Sequence, residues 1–221
     1  MRRGAGRTYT IAAGLTAALA LAACGSGARQ DAKAPSGKFP VQVTTAKWVS
    51  FQRLAQHTHL VISVRNVGSK TIPNLAISIC NTTCAYPAPA GQGTSVAAFA
   101  QYLKMPGLAS HSRPVWVIDR PPGPCGYSCL NGGQGAYVSA DANTWQSGAL
   151  KPGATATFKW ALTAVSAGHF VVAYQVAGDL YGKAKAVLPG GLTPQGAFAV
   201  TIARQPAQSF VNSAGKVVQL P

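Results

Sequence analysis

Glutamate is absent from this 221-residue sequence, and aspartate occurs only at Asp31, Asp119, Asp141 and Asp179. Charged residues of both signs together make up 10% of the chain. Chemistry that needs two cooperating carboxyl groups, glycoside hydrolysis above all, finds no support in so few acids. Neither a Gly-x-Ser-x-Gly elbow nor a phosphate-cradling Gly-x4-Gly-Lys loop occurs. Ser213-Ala-Gly-Lys216 spells Ser-x-x-Lys, but the companion motifs that make such a run catalytic are missing. No apolar run reaches the ~20 residues that a membrane-spanning helix requires. Disorder is excluded from the other side, because 48% hydrophobic residues exceed what a solvated chain carries. What the sequence does have is positive charge: 19 Lys and Arg give a formal net charge of +15.

The first residues have the layout of an export signal. Arg2, Arg3 and Arg7 form a basic start, and Ile11 to Ala23 run without a charge. The run ends Leu21-Ala22-Ala23-Cys24-Gly25, which resembles the lipobox of bacterial lipoproteins. The resemblance implies cleavage before Cys24, a diacylglycerol on its thiol, and residence on the extracytoplasmic face of the cell membrane. On that reading residues 1–23 are a signal peptide and 24–38 a flexible tether. Three of the 19 basic residues leave with the signal, so sixteen cations against four acids would leave a net charge of +12.

Beyond the tether the dominant pattern is alternation with period two, the mark of strands with one buried face. Leu60, Ile62 and Val64 share a face within 58–66, and Leu75, Ile77 and Ile79 do so within 74–80. Phe158, Trp160 and Leu162 point one way in 154–164, while Thr155, Thr157, Lys159 and Thr163 point the other. Phe170, Val172, Tyr174 and Val176 follow, then Phe198, Val200 and Ile202, with Val41 and Val43 opening the series. Turn residues separate the runs, as in Gly68-Ser69-Lys70, Pro152-Gly153 and Pro189-Gly190-Gly191. Six or seven short strands, each apolar on one face, need a second sheet to cover them. The expectation is an all-β sandwich over 39–205, with 206–221 a C-terminal tail or hairpin.

Val64-Arg65-Asn66-Val67-Gly68 closes one strand, and Leu150-Lys151-Pro152-Gly153 leads into another. This pairing resembles the immunoglobulin-like modules of bacterial surface proteins of the CARDB type, over roughly 40–80 and 148–205. The resemblance implies an immunoglobulin-like antiparallel sandwich. The acidic segment often seen near the end of such modules is absent, so ligand or calcium binding is not carried over. A long insertion, 81–147, separates the two blocks. It is rich in Pro, Gly, Ser and Asn; the spacing of Val96, Phe99, Ala100 and Leu103 predicts one short helix over 95–105, and 115–118 suits a further strand.

Cys80, Cys84, Cys125 and Cys129 form two C-x3-C pairs flanking that insertion. Four cysteines in an oxidising compartment allow three disulfide connectivities. Cross-pairing is favoured, since it would close a loop of ~40–50 residues and stabilise by about 3–4 kcal/mol in the chain-entropy model. The alternative is a four-cysteine metal site. His57 and His59 lie two apart at the start of a strand and so project from one face, where they suit either a solvated surface or a shared metal. Neither His111 nor His169 has a carboxylate partner visible in the sequence. Trp116, Tyr127, Tyr137 and Trp145 are candidates for an exposed aromatic contact surface on the insertion, or for a cap on the sandwich.

The basic residues are dispersed with no block of five, so no nucleic-acid site is indicated. The reading is therefore a non-catalytic binding or envelope-structural module without cofactor or resident metal. Its expected partners are the membrane, through the lipid, and an anionic envelope polymer or another envelope protein. The alternatives are an extracytoplasmic metal-binding protein using His57 and His59 or the four cysteines, and an accessory subunit of a membrane complex.

Overall fold

A computed structural model describes residues 33–84, 98–103, 106–109, 112–123 and 143–219. The signal and lipobox, Cys24, Cys125, Cys129, Tyr127, Tyr137 and His111 lie outside the described residues. The strands are β1 (Gly37–Lys47), β2 (Phe51–Leu54), β3 (His57–Asn66), β4 (Ile72–Asn81), β5 (Ala100–Tyr102), β6 (Ser112–Pro114) and β7 (Trp116–Arg120). They continue as β8 (Thr144–Leu150), β9 (Thr155–Ala164), β10 (Gly168–Ala177), β11 (Ala184–Val187), β12 (Gln195–Pro206), β13 (Ser209–Val211) and β14 (Val217–Gln219).

Ten of these strands build two five-stranded sheets. The first runs β11-β1-β3-β9-β7 and the second β2-β12-β10-β4-β8. The residues that alternation marked as apolar face inward: Leu60, Ile62, Val64, Ile77, Ile79, Phe158, Trp160, Leu162, Val172, Val176, Val200 and Ile202 are all buried in one core. Two sheets with one shared apolar interior is the layered solution that half-apolar strands require. The sheets are mixed rather than purely antiparallel, because the short strands β11 and β2 join β1 and β12 in parallel. The C-terminal stretch forms the β13–β14 hairpin.

The two motifs of the sequence meet at Asn66, which is fully buried. Its Nδ2 donates to the carbonyls of Lys70 and Leu150, each at 2.9 Å. The Gly68 amide donates to its Oδ1 at 3.0 Å. The Gly153 amide donates to the Asn66 carbonyl at 2.8 Å. One side chain thus staples the corner after β3 to the corner after β8. Gly68 is required there, since a Cβ would lie 2.9 Å from Cδ of Pro40.

Two other polar residues are buried for structural reasons. Gln52 of β2 accepts a hydrogen bond from Trp116 Nε1 of β7 at 2.8 Å and donates to the Val49 carbonyl at 2.9 Å. It ties the edge of one sheet to the edge of the other with both ends of its amide satisfied. The Asp179 carboxylate accepts from the amides of Tyr181, Gly182 and Ala184 and shapes the loop that launches β11.

Where it is described, over 98–103, the segment expected to be helical is not. Ala100–Tyr102 is a strand paired with Ser112–Pro114, and no helix occurs among the described residues. Phe99 explains why the apolar spacing misled. Its φ is +60°, a left-handed conformation that interrupts any helix, and its carbonyl accepts from the amides of Val115 and Trp116. The ring fits among Trp48, Trp116, Trp145 and Trp160, with centroids 6.0 to 6.5 Å away. Phe99, with Ala98 packed against the same cluster, anchors an irregular segment to the core instead of lining a helix face.

Cross-pairing of the cysteines is corrected too: Cys80 is bonded to Cys84. β4 ends just after Cys80, and the chain reverses at Thr82, whose φ is +66°. That reversal brings the two Cα atoms to 5.2 Å, inside the range a disulfide spans.

Candidate anion-binding face

Side chains that do not enter the core point outward, and the two outer surfaces differ in charge. On the β11-β1-β3-β9-β7 sheet, β3 presents His57, His59, Val61, Ser63 and Arg65 outward, and β9 presents Thr155, Thr157, Lys159 and Thr163. The register sets neighbours across strands. Lys47 is opposite Val61, and Val61 is opposite Lys159. His59 is opposite Ala161, which in turn is opposite Arg120. At the usual strand spacing of ~4.8 Å, the backbones of Lys47 and Lys159 stand about 10 Å apart with β3 between them. At the far end of the face, Lys38 of β1 is opposite Lys185 of β11.

The other sheet carries fewer cations, Arg53 on β2 and an exposed Arg204 near the end of β12. On its outer surface β10 shows His169, Val171 and Gln175, with Ala173 buried between them, and its partner β12 shows Gln195, Ala197, Ala199 and Thr201. A shallow groove of 390 Å³ lies against Phe51, His169, Val171, Ala199 and Thr201, with His169 Nδ1 3.0 Å from the Thr201 hydroxyl. Its walls are mainly apolar.

One acid enters the cationic face. Asp119 points outward from β7, and its Oδ2 lies 3.2 Å from His57 Nδ1. The Thr163 hydroxyl donates to the same oxygen at 2.7 Å and lies 2.7 Å from Nδ1. With the hydroxyl proton directed to the carboxylate, Nδ1 carries a proton of its own. The pairing escaped sequence reading because the two residues are 62 positions apart and meet only through β7–β9 and β9–β3 pairing. The available signal was alternation from the inward Trp116, which sends Asp119 outward.

His59 occupies different surroundings. Burial lowers its pKa below the ordinary histidine value, and Lys159 and then Arg120 lower it further. The same field opposes a divalent cation. Among the described residues no group of three His, Cys, Asp or Glu side chains is placed to hold a metal ion. No ion pair engages Lys47, Lys159 or Arg120 among the described residues. The arrangement suits an anion.

The aromatic candidates on the insertion divide. Trp145 is fully buried and packs edge-to-face on Trp160 at 5.4 Å. Trp116 is 3% exposed and spends its N–H on Gln52. Neither offers a contact surface, because both sit on strands of the sandwich with their rings turned inward. Trp116 belongs to β7, so part of the presumed insertion is an edge strand of the cationic sheet.

No family model matches the sequence, and no curated protein matches it. Among solved structures the chain is similar to the CARDB domain of PF1109 from Pyrococcus furiosus, determined with di-metal ions. That likeness has a TM-score of 0.37 and 9% identity over 77% of this chain and 99% of that one. Escherichia coli alpha-2-macroglobulin from domain MG7 to the C-terminus gives 0.37 and 12% identity over 80% of this chain and 20% of that one. The PapD-like domain 7 of human CEP192 gives 0.35 and 7% identity, covering 79% and 89% of the two chains. The two-layer architecture stands on its own strand order and shared core.

Proposed function

We propose that the protein is a non-catalytic binding or envelope-structural module, anchored by lipid at Cys24 and held on the extracytoplasmic side of the membrane. Its outer cationic sheet contacts an anionic component of the envelope. The observation that carries this reading is the segregation of charge. Lys38, Lys47, Lys159, Lys185, Arg65 and Arg120 belong to the β11-β1-β3-β9-β7 sheet, while the strands of the other sheet carry two, Arg53 of β2 and Arg204 of β12. A field of one sign attracts polyanions and raises their encounter rate. The contact surface moves from the insertion, where its two described aromatic candidates are buried, to this sheet.

Retention on isolated envelope fractions at rising salt tests the reading. Binding is expected to fall steeply between 50 and 500 mM salt, as exposed charges are screened beyond ~10 Å already at 0.1 M. Retention that ignores salt overturns it. Mass spectrometry of the native protein is expected to show a diacylglyceryl group on Cys24, and Cys24→Ser is expected to release the protein from membranes. Elemental analysis checks the metal-binding alternative, which Lys159 and Arg120 oppose; stoichiometric metal in the untagged protein would restore it.

A further inference from the structure

We propose that Lys47, His59, Lys159 and Arg120 form a proton-gated site for a linear polyanion bearing phosphate- or sulfate-type groups. The inference deepens the preceding reading and rests on it.

These four residues come from the four adjacent strands β1, β3, β9 and β7. Register places Lys47 and Lys159 on either side of Val61, and Arg120 one residue pair further along, beyond Ala161 from His59. The charge therefore runs as a band across the strands. The next cation on β3 is Arg65, four residues or about 13 Å along from Val61, and Ser63 and Thr157, hydrogen-bonded to each other at 2.9 Å, fill the interval. A band matches a chain laid across the sheet. A planar bilayer would meet the whole face, including the uncharged interval. Val61 and Ala161 leave the centre of the band low, so an oxyanion can approach between the lysine and arginine stems.

His59 sits in the middle of that band. On its own strand it is flanked by His57 and Val61; β9 presents Lys159, Ala161 and Thr163; β7 presents Arg120 and Asp119; β1 presents Lys47. Asp119, the acid in this set, is bound to His57 and Thr163. Burial first, and then the cations Lys159 and Arg120, disfavour a proton on His59. An oxyanion lying between them reverses the local field, so binding takes up a proton, and affinity rises as pH falls. A shift of about one pKa unit on binding corresponds to a tenfold gain in affinity.

The test is calorimetric titration of the full-length protein with dextran sulfate, whose charge is constant over the range, at pH 5.5 and 7.5 and fixed ionic strength. The wild type is expected to bind about tenfold more tightly at pH 5.5. His59→Gln is expected to lose that gain while keeping the pH 7.5 affinity and its thermal midpoint. His169→Gln, on the opposite sheet, should keep the gain. Lys159→Gln and Arg120→Gln should weaken binding at both pH values. The His59 imidazole proton resonance is expected to titrate at a higher pH when dextran sulfate is present. A pH gain that persists in His59→Gln overturns the gate but leaves the anion-binding face intact. Binding to phosphatidylglycerol vesicles without binding to dextran sulfate overturns the choice of a linear polyanion. Absence of binding to either, with salt-insensitive retention on envelopes, overturns both this inference and the function it rests on.

Discussion

Asn66 offers a test of how the two corner motifs hold the sandwich together. Asn66→Ala removes three hydrogen bonds at once. The Leu150 carbonyl loses its partner in a buried bond, whereas the Lys70 carbonyl and the Gly68 amide lose theirs in partly buried ones. A buried group left unsatisfied costs about 1–3 kcal/mol, and water can compensate part of the loss at the other two. The sum is about 3 kcal/mol. For a protein of this size each kcal/mol moves the melting temperature by about 2–4 °C, so the expected drop is roughly 6–12 °C. Asn66→Asp separates hydrogen bonding from packing. Its carboxylate faces two carbonyl oxygens with no donor to offer, so it is expected to fall further than alanine at pH 7. Part of that loss should return below about pH 5, as protonation restores one donor. Asn212 supplies the control, since its Oδ1 accepts from the amides of Ala214 and Lys216 on the exposed hairpin. Asn212→Ala is expected to move the midpoint by less than 3 °C. Differential scanning calorimetry of the four proteins decides the matter. A drop under 2 °C for Asn66→Ala would show that the two corners are held by something other than this side chain.

Truncating Phe99 to alanine removes the ring seated among four tryptophans, and chemical denaturation is expected to show a loss of about 3–5 kcal/mol. Breaking the Cys80–Cys84 bond with Cys84→Ser opens a loop of only four residues' separation, and the same assay should show a loss of about 2 kcal/mol at most. Peptide mapping without reduction should find those two cysteines joined; a peptide linking either to Cys125 or Cys129 would refute the local pairing. Because His59 titrates lower in the folded chain than its unfolded value of about 6.5, the unfolded state binds more protons in that interval. Stability is therefore expected to fall as pH drops through 6.5 toward the folded value. Lys159→Gln removes one cause of the shift, and its urea midpoint should decline less than the wild type's between pH 7.5 and 5.0.

Alternation proved a dependable guide wherever a strand had one wet face. β3, β9, β10 and β12 turn inward the residues that period-two spacing selected, all buried except the half-buried Phe170 and Phe198. The turn chemistry at Gly68 and Gly153 was equally readable, although not the fact that one asparagine joins them. The short parallel strands β2 and β11 were not foreseen, since four residues carry too little periodicity and their pairing depends on chain segments far away. Phe99 was misread because a ring anchored to a core and a ring on a helix face leave the same spacing. At the candidate site, the shared face of His57 and His59 was visible from their separation alone. The approach of Asp119, Lys159 and Arg120 was not, because strand pairing across about 60 to 100 residues brings them there. Trp116 and Trp145 were open to two readings, and burial chose the interior.

The margins of the two sheets have a consequence for molecules crowded side by side. β11 and β2 offer four residues each to an approaching chain, and β7 offers five with a break in register between Ile118 and Arg120. β8 is longer, but Gly148 at φ +77° and two register shifts against β4 bend it. Unpaired strand margins are the templates on which neighbouring copies add to one another, and short or broken ones suppress that growth. Crowded copies would thus find, among the described strands, only short or bent margins to pair along.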